Sequence, residues 1–236
     1  MACLWARSDA PGRVLPGGCV DVVWTGAQLI VAGPATRAVR PTPPSGETKV
    51  GLRFRVGAAG GALGLPAAEL LDRSPALGQV RADGDAWAAR VAEAPDAGAR
   101  LSLLAEMAAA WLADAPAPDP LVRAAVQDLA RPRARVAELC AGLAISERQL
   151  RRRFESAVGY APRTLAGVLR LQRFLSLASP GGDLARLAAD AGYADQPHLT
   201  RDCARLAGLP AAALLAAGVG PAGERRLSLD LRLSSA

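Results

Sequence analysis

The side chains best placed to do chemistry are arginines. Between Arg131 and Arg173 the chain carries ten of them against Glu138, Glu147 and Glu155, an excess of seven positive charges within 43 residues. Four of the ten fall in the run Ser146-Glu-Arg-Gln-Leu-Arg-Arg-Arg-Phe154, where helical spacing brings Arg148, Arg151 and Arg152 onto one surface. Guanidinium groups are planar and permanently charged, so such a cluster suits a polyanion. A solvated charged face is the plainer reading, since arginine stands in for lysine throughout and Lys49 is the only lysine.

Other chemistries lack their parts. His198 is the only histidine, so a serine triad, a zinc hydrolase or a His-ligated metal cupin would have to be built around it alone. Cys3, Cys19, Cys140 and Cys203 lie far apart with no Cys-x-x-Cys pair, which supports neither a disulfide framework nor a tetrahedral zinc site. No catalytic constellation is visible, so the expectation is a non-enzyme with no metal and no cofactor.

The elements that must position the arginines follow from charge and pattern. Residues 1–116 are neutral overall and residues 117–236 hold the whole net charge of +6. The pattern divides at the same place. Cys19–Trp24, Leu29–Val31 and Val50–Val56 read as strands between Gly- and Pro-rich turns, with Val50, Leu52, Phe54 and Val56 alternating against Gly51, Arg53 and Arg55. From Pro66 the pattern turns helical, and Leu101, Leu104, Ala108, Trp111 and Leu112 form a core stripe. Ala115-Pro-Ala-Pro-Asp-Pro120 reads as a linker whose Asp119 and Pro120 begin the next helix. No apolar run reaches the eighteen or so residues of a membrane span, and Met1–Cys19 is broken by Arg7, Asp9, Pro11 and Arg13, so a cytoplasmic protein with no membrane partner is expected.

The second half contains a repeat. At an offset of 49, Leu150 matches Leu199, Arg152 matches Arg201 and Gly159 matches Gly208; upstream the offset is 48, matching Leu139 to Leu187 and Cys140 to Ala188. Each unit has the parts of two short helices crossing at a tight turn. Val136, Leu139, Cys140 and Leu143 supply the buried face of the first helix, and Ser146 with Gln149 forms a capping box for the second. That helix buries Leu150, Phe154, Ala157 and Val158. In the second unit Asp195 is the cap and Pro197 is tolerated in the first turn. Between the units, Pro162–Ala178 reads as one connecting helix with Leu165, Val168, Leu169, Gln172 and Leu175 along one side. Seventeen residues span roughly 25 Å, comparable to the roughly 34 Å between successive major grooves on one face of DNA. Arginines on the exposed first turns of such helices can meet guanine edges and phosphates.

Over about Asp119 to Ala216 the chain resembles the AraC/XylS family of bacterial transcription regulators, on Ile145–Phe154, Gly159-Tyr-Ala-Pro162, Arg170-Leu-Gln-Arg173 and Ala191–Arg201. Ala144 departs from the glycine usual in the first turn, and Leu199 and Cys203 depart from the usual aromatic residues of the second unit. Leu15–Trp24 and Val31-Ala-Gly-Pro34 are similar to the strand-rich N-terminal domain of an actinobacterial-looking branch of that family. The resemblance implies an α+β chain: a β-rich, cupin-like or half-barrel sensor or assembly domain with trailing helices (1–114), a linker (115–120), an all-α domain of two helix-turn-helix units joined by a connecting helix (119–217), and a disordered tail (218–236). It implies base contacts from Arg148, Arg151, Arg152, Gln196, His198, Thr200 and Arg201. Phosphate contacts would fall to Ser146, Arg163, Arg170, Arg173 and Arg205. Double-stranded DNA is the implied partner; RNA polymerase, a small-molecule effector of the N-terminal domain and a homodimer stay open. Two other readings remain: an alkyl-damage repair protein using a reactive cysteine beside an AraC-like domain, and a scaffold binding an acidic protein.

Overall fold

The computed structural model describes residues 2–7, 13–40, 48–177, 182–216 and 225–227. The first half is an antiparallel sheet backed by helices. Its strands are β1 (Ala2–Arg7), β2 (Asp21–Trp24), β3 (Leu29–Ala32) and β4 (Lys49–Phe54), and with the late strand β5 (Arg225–Leu227) they run in the order β3-β2-β4-β1-β5. Three of these strands, β2, β3 and β4, stand where the runs between Gly- and Pro-rich turns place them. β1 is not anticipated; its Leu4 and Trp5 are both buried, one on each face, so it shows no polar side to reveal a period of two. Within the stretch expected to be a disordered tail, Arg225–Leu227 instead extends the sheet along β1; the rest of that stretch lies outside the described residues.

Register explains two residues of β4. Gly51 faces Trp5 across the ladder, and a Cβ there would come within 2.4 Å of the indole, so the glycine leaves room for the ring. Arg53 faces Asp21, and the two make a double ion pair at 2.8 and 2.7 Å on the partly buried face. Asp21 is thus a cross-strand ion-pair residue.

Behind the sheet lie α1 (Ala59–Leu63), α2 (Gly84–Glu93) and α3 (Ala97–Ala113). Leu104, Met107, Ala108 and Trp111 of α3 close the core over Val22, Val50, Leu52 and Phe54, while Leu101 and Leu112 of the expected stripe pack at its edge. Asp83 holds this layer by a polar contact, accepting from the Trp111 indole at 2.9 Å and pairing with Arg81 at 2.8 Å.

Among the described residues, the regular elements of the second half are helices and β5. Asp119 caps α4 (Pro120–Leu129) by accepting from the Leu121 and Val122 amides, as the Asp-Pro pair predicts. Then come α5 (Val136–Gly142), α6 (Glu147–Val158), α7 (Pro162–Leu177), α8 (Leu184–Ala191), α9 (Gln196–Ala207) and α10 (Ala211–Ala216), packed about one core. The connecting helix α7 differs from its expected one-sided stripe: Leu165, Val168, Leu171 and Phe174 are all fully buried. It is enclosed because α4, α6, α8 and α9 all pack against it while the N-terminal half contributes Leu15 and Val56 to the same core.

Candidate nucleic-acid interface

α5–α6 and α8–α9 are the two helix-turn-helix units. In the first, Leu139 and Cys140 of α5 lie against Leu150 and Phe154 of α6. The chain turns through Ala144, whose φ of 52° is left-handed, before Ser146 begins α6. The expected capping box is formed: the Gln149 amide donates to Ser146 Oγ at 3.2 Å, and the Ser146 amide donates to Gln149 Oε1 at 3.0 Å. With Leu150, Phe154 and Val158 turned inward, Arg148, Arg151, Arg152 and Arg153 are all exposed.

These four arginines are not equivalent. Arg153 reaches back to Asp119 at 3.0 Å and ties α6 to the start of α4, and with the α4 cap it holds that carboxyl below the usual carboxylate range despite burial. Arg151 pairs along its own helix with Glu155 at 2.7 Å. Arg148 and Arg152, one turn apart, have no ion-pair partner among the described residues, so their guanidinium groups project into solvent together.

The second unit repeats the plan with different polar detail. The His198 amide donates to Asp195 at 2.7 Å, capping α9, and Pro197 occupies its first turn. Leu199, Cys203 and Leu206 are buried, whereas Gln196 and Arg201 are exposed and Thr200 is half-buried. Arg201 makes one bond, from Nε to the Pro197 carbonyl at 3.3 Å, leaving the end of its fork open.

Residues 139–217 match the model of a family described as a helix-turn-helix domain, and residues 2–75 match that of a domain of unknown function. The helix-turn-helix match takes in most of α5 and all of α6 to α10. Among solved structures, a probable AraC family transcriptional regulator from Rhodopseudomonas palustris CGA009 is 24% identical over 42% of this chain and 98% of its own, with a TM-score of 0.37. ToxT from Vibrio cholerae is 10% identical over 92% of this chain and 97% of its own, with a TM-score of 0.44. ToxT from Vibrio cholerae O395 bound to (E)-4-(8-methylnaphthalen-1-yl)but-3-enoic acid is 12% identical over 92% of this chain and 98% of its own, with a TM-score of 0.41. No curated protein shows significant similarity to the chain.

Inside this helix-turn-helix region, several residues expected on DNA are engaged with the protein itself. Ser146 Oγ is the α6 cap. Arg173 donates to the backbone carbonyls of Ala130 and of Ala191, the latter at 3.0 Å, and so joins the end of α4 to the end of α8. Arg170 and Arg205 converge on Asp202, at 3.3 and 2.9 Å. His198 stands edge-on to the Tyr193 ring at 5.1 Å, with Nε2 3.8 Å from the same Asp202 carboxylate. Only Arg163 of the expected phosphate group is exposed without a partner among the described residues.

The cluster around Asp202 is what sequence reasoning missed. Asp202 is buried in α9 and gathers three cationic or hydrogen-bonding side chains from two helices. The repeat hid it, because its counterpart at the offset of 49 is Arg153, of opposite charge. Tyr193 and Cys203 lie beside it. Burial, reinforced by the Asp202 charge, pushes the Cys203 thiol up to about 12 and the Tyr193 phenol well above its ordinary value. Cys140 is likewise pushed up by burial. Both core cysteines are therefore thiols at neutral pH and poor nucleophiles. Among the described residues no helix is long and apolar enough to cross a membrane.

Proposed function

We propose that the chain recognises a specific duplex sequence with two helices, α6 and α9, each entering a major-groove segment on one side of the DNA. The observation that carries this reading is the pair Arg152 and Arg201. They occupy matching positions of the two repeats, on capped helices whose opposite faces are buried, and both are exposed. Arg148 and Arg152 then supply the bidentate contacts of the first unit, with Arg151 beside them. Gln196 and Arg201 supply those of the second, with Thr200 and His198 at the margin. Arg163 takes a phosphate, and the exposed N-terminus of α6 favours another. Arg170, Arg173 and Arg205 act one step back, by fixing the helices that read.

α7 spans 16 residues, or about 24 Å, which supports two heads rather than one. The testing experiment is selection of bound duplexes from a random pool at stated salt, using the full chain. The expected product is a bipartite site whose halves lie about one helical turn apart, 10 to 10.5 base pairs. Enrichment of a single short motif, or of none, would overturn the two-headed reading.

A further inference from the structure

The two reading helices are held by more than the connecting helix. Their carbonyl ends, remote from the residues that face DNA, both rest on one stretch of the N-terminal half, residues 13–39. At the end of α6, Gly159 is buried with a φ of 96°, and a Cβ there would lie 2.4 Å from the Pro34 ring and 3.0 Å from the Ala67 carbonyl oxygen. At the end of α9, Arg13 Nη1 donates to the Ala207 carbonyl at 3.1 Å and the Ala38 amide donates to the Leu206 carbonyl at 2.7 Å. The Arg13 guanidinium also fills the space above the left-handed Gly208 that closes α9. Between these two points, Gln172 of α7 donates its side-chain amide to the Pro16 carbonyl at 2.6 Å, and Gly18 lies against Leu165 and the Tyr160 hydroxyl.

A cation and a backbone donor set on the last carbonyls of a helix satisfy groups that the helix leaves open, and they complement its dipole. They also fix where that end lies. One segment that contacts α6, α7 and α9 in this way constrains the angle between both readers directly. We propose that residues 13–39 form a brace setting the relative pose of α6 and α9, with Arg13 and Ala38 as positioning residues. The spacing tolerated between the two halves of the DNA site then belongs to the N-terminal half as much as to the helix-turn-helix domain. The inference rests on the two-headed reading proposed above.

The test uses the full chain and the bipartite duplex obtained by selection, with the spacer kept or changed by one base pair in either direction. One base pair turns the second half-site by about 34°, which rigidly posed readers cannot follow. The wild type is expected to favour the selected spacer by about tenfold or more. In Arg13→Ala that preference falls to about threefold or less, while binding to a single half-site stays within about twofold of wild type, and Arg13→Lys restores part of the preference. A merely lower folded fraction would weaken all duplexes equally, so the ratio isolates pose from stability. Gln172→Ala removes a second strut of the same brace and is expected to flatten the profile in the same direction should Arg13→Ala not fold. An unchanged spacing ratio in the folded variants, or a wild type indifferent to spacing, overturns the brace and leaves DNA reading intact. Failure to select any duplex at all overturns the DNA reading itself.

Discussion

Arg170 of α7 and Asp202 of α9 meet at 3.3 Å, and the carboxylate they share with Arg205 fastens the second reading helix to the helix that joins the two units. Arg170 also lies over the Tyr193 ring, 5.3 Å from its centre, so the same cation braces the turn before α9. Asp202 is buried while both arginines keep a path to water. Removing the carboxylate leaves a half-buried guanidinium without its counter-charge. Asp202→Ala is expected to lower stability by about 2 kcal/mol in urea unfolding. Asp190→Ala, which removes an exposed partner of Arg186 at 3.8 Å, should change it by under about 0.5 kcal/mol. Equal effects would show that Asp202 is no hub.

The turn of the first unit carries backbone strain. Ala144 sits at φ 52°, a conformation costing an alanine about 1–2 kcal/mol and a glycine almost nothing. Glycine returns about 0.5–1 kcal/mol of that gain through the greater freedom of its unfolded chain. Ala144→Gly is therefore expected to stabilise the protein by about 0.5–1 kcal/mol, read as a higher midpoint in thermal unfolding. A destabilised variant would mean that the methyl group packs usefully against the turn.

These two positions show what could be read in advance. The departure at Ala144 was visible in the residues, and so were both helix caps, because a cap depends on side chains within three positions of each other, as in Ser146 with Gln149 and Asp195 with the His198 amide. Asp202 was not, since its partner Arg170 is 32 residues away on another helix. Arg13 and Ala207, 194 residues apart, meet only because the sheet half docks on the helical half. The surplus of arginine was legible as charge. Its division into Arg148 and Arg152 facing solvent, Arg153 on Asp119 and Arg173 on backbone carbonyls required the packed helices.

Acid should loosen the N-terminal half at Asp83. The Arg81 guanidinium and the Trp111 indole hold its carboxyl down at about 2 against an ordinary 3.8. A folded-state value below the unfolded one stabilises fully above about pH 4, and this contribution is lost as pH falls through about 2. With its side chain 41% exposed, screening leaves about 1 kcal/mol. Asp83→Asn is expected to lower stability at neutral pH and to flatten its decline between pH 4 and pH 2, followed by tryptophan fluorescence. An unchanged acid limb would contradict the role of Asp83.

Base-reading and phosphate-binding arginines separate by what their loss does to different DNA. Arg152 and Arg201 stand at equivalent exposed positions of α6 and α9, whereas Arg163 is exposed at the start of α7, beside the first unit but off its reading helix. Arg152→Ala and Arg201→Ala should each weaken binding to the selected duplex by about 1–3 kcal/mol, relax base preference in only one half-site, and barely affect random DNA. Arg163→Ala should weaken selected and random duplexes alike and reduce the slope of log affinity against log salt by about 1, since one counterion fewer is released. The half-sites affected by Arg152→Ala and Arg201→Ala must differ if the repeat places one reader in each. Loss of preference in the same half-site from both would put the two helices on one stretch of groove, and the internal duplication would then have another purpose.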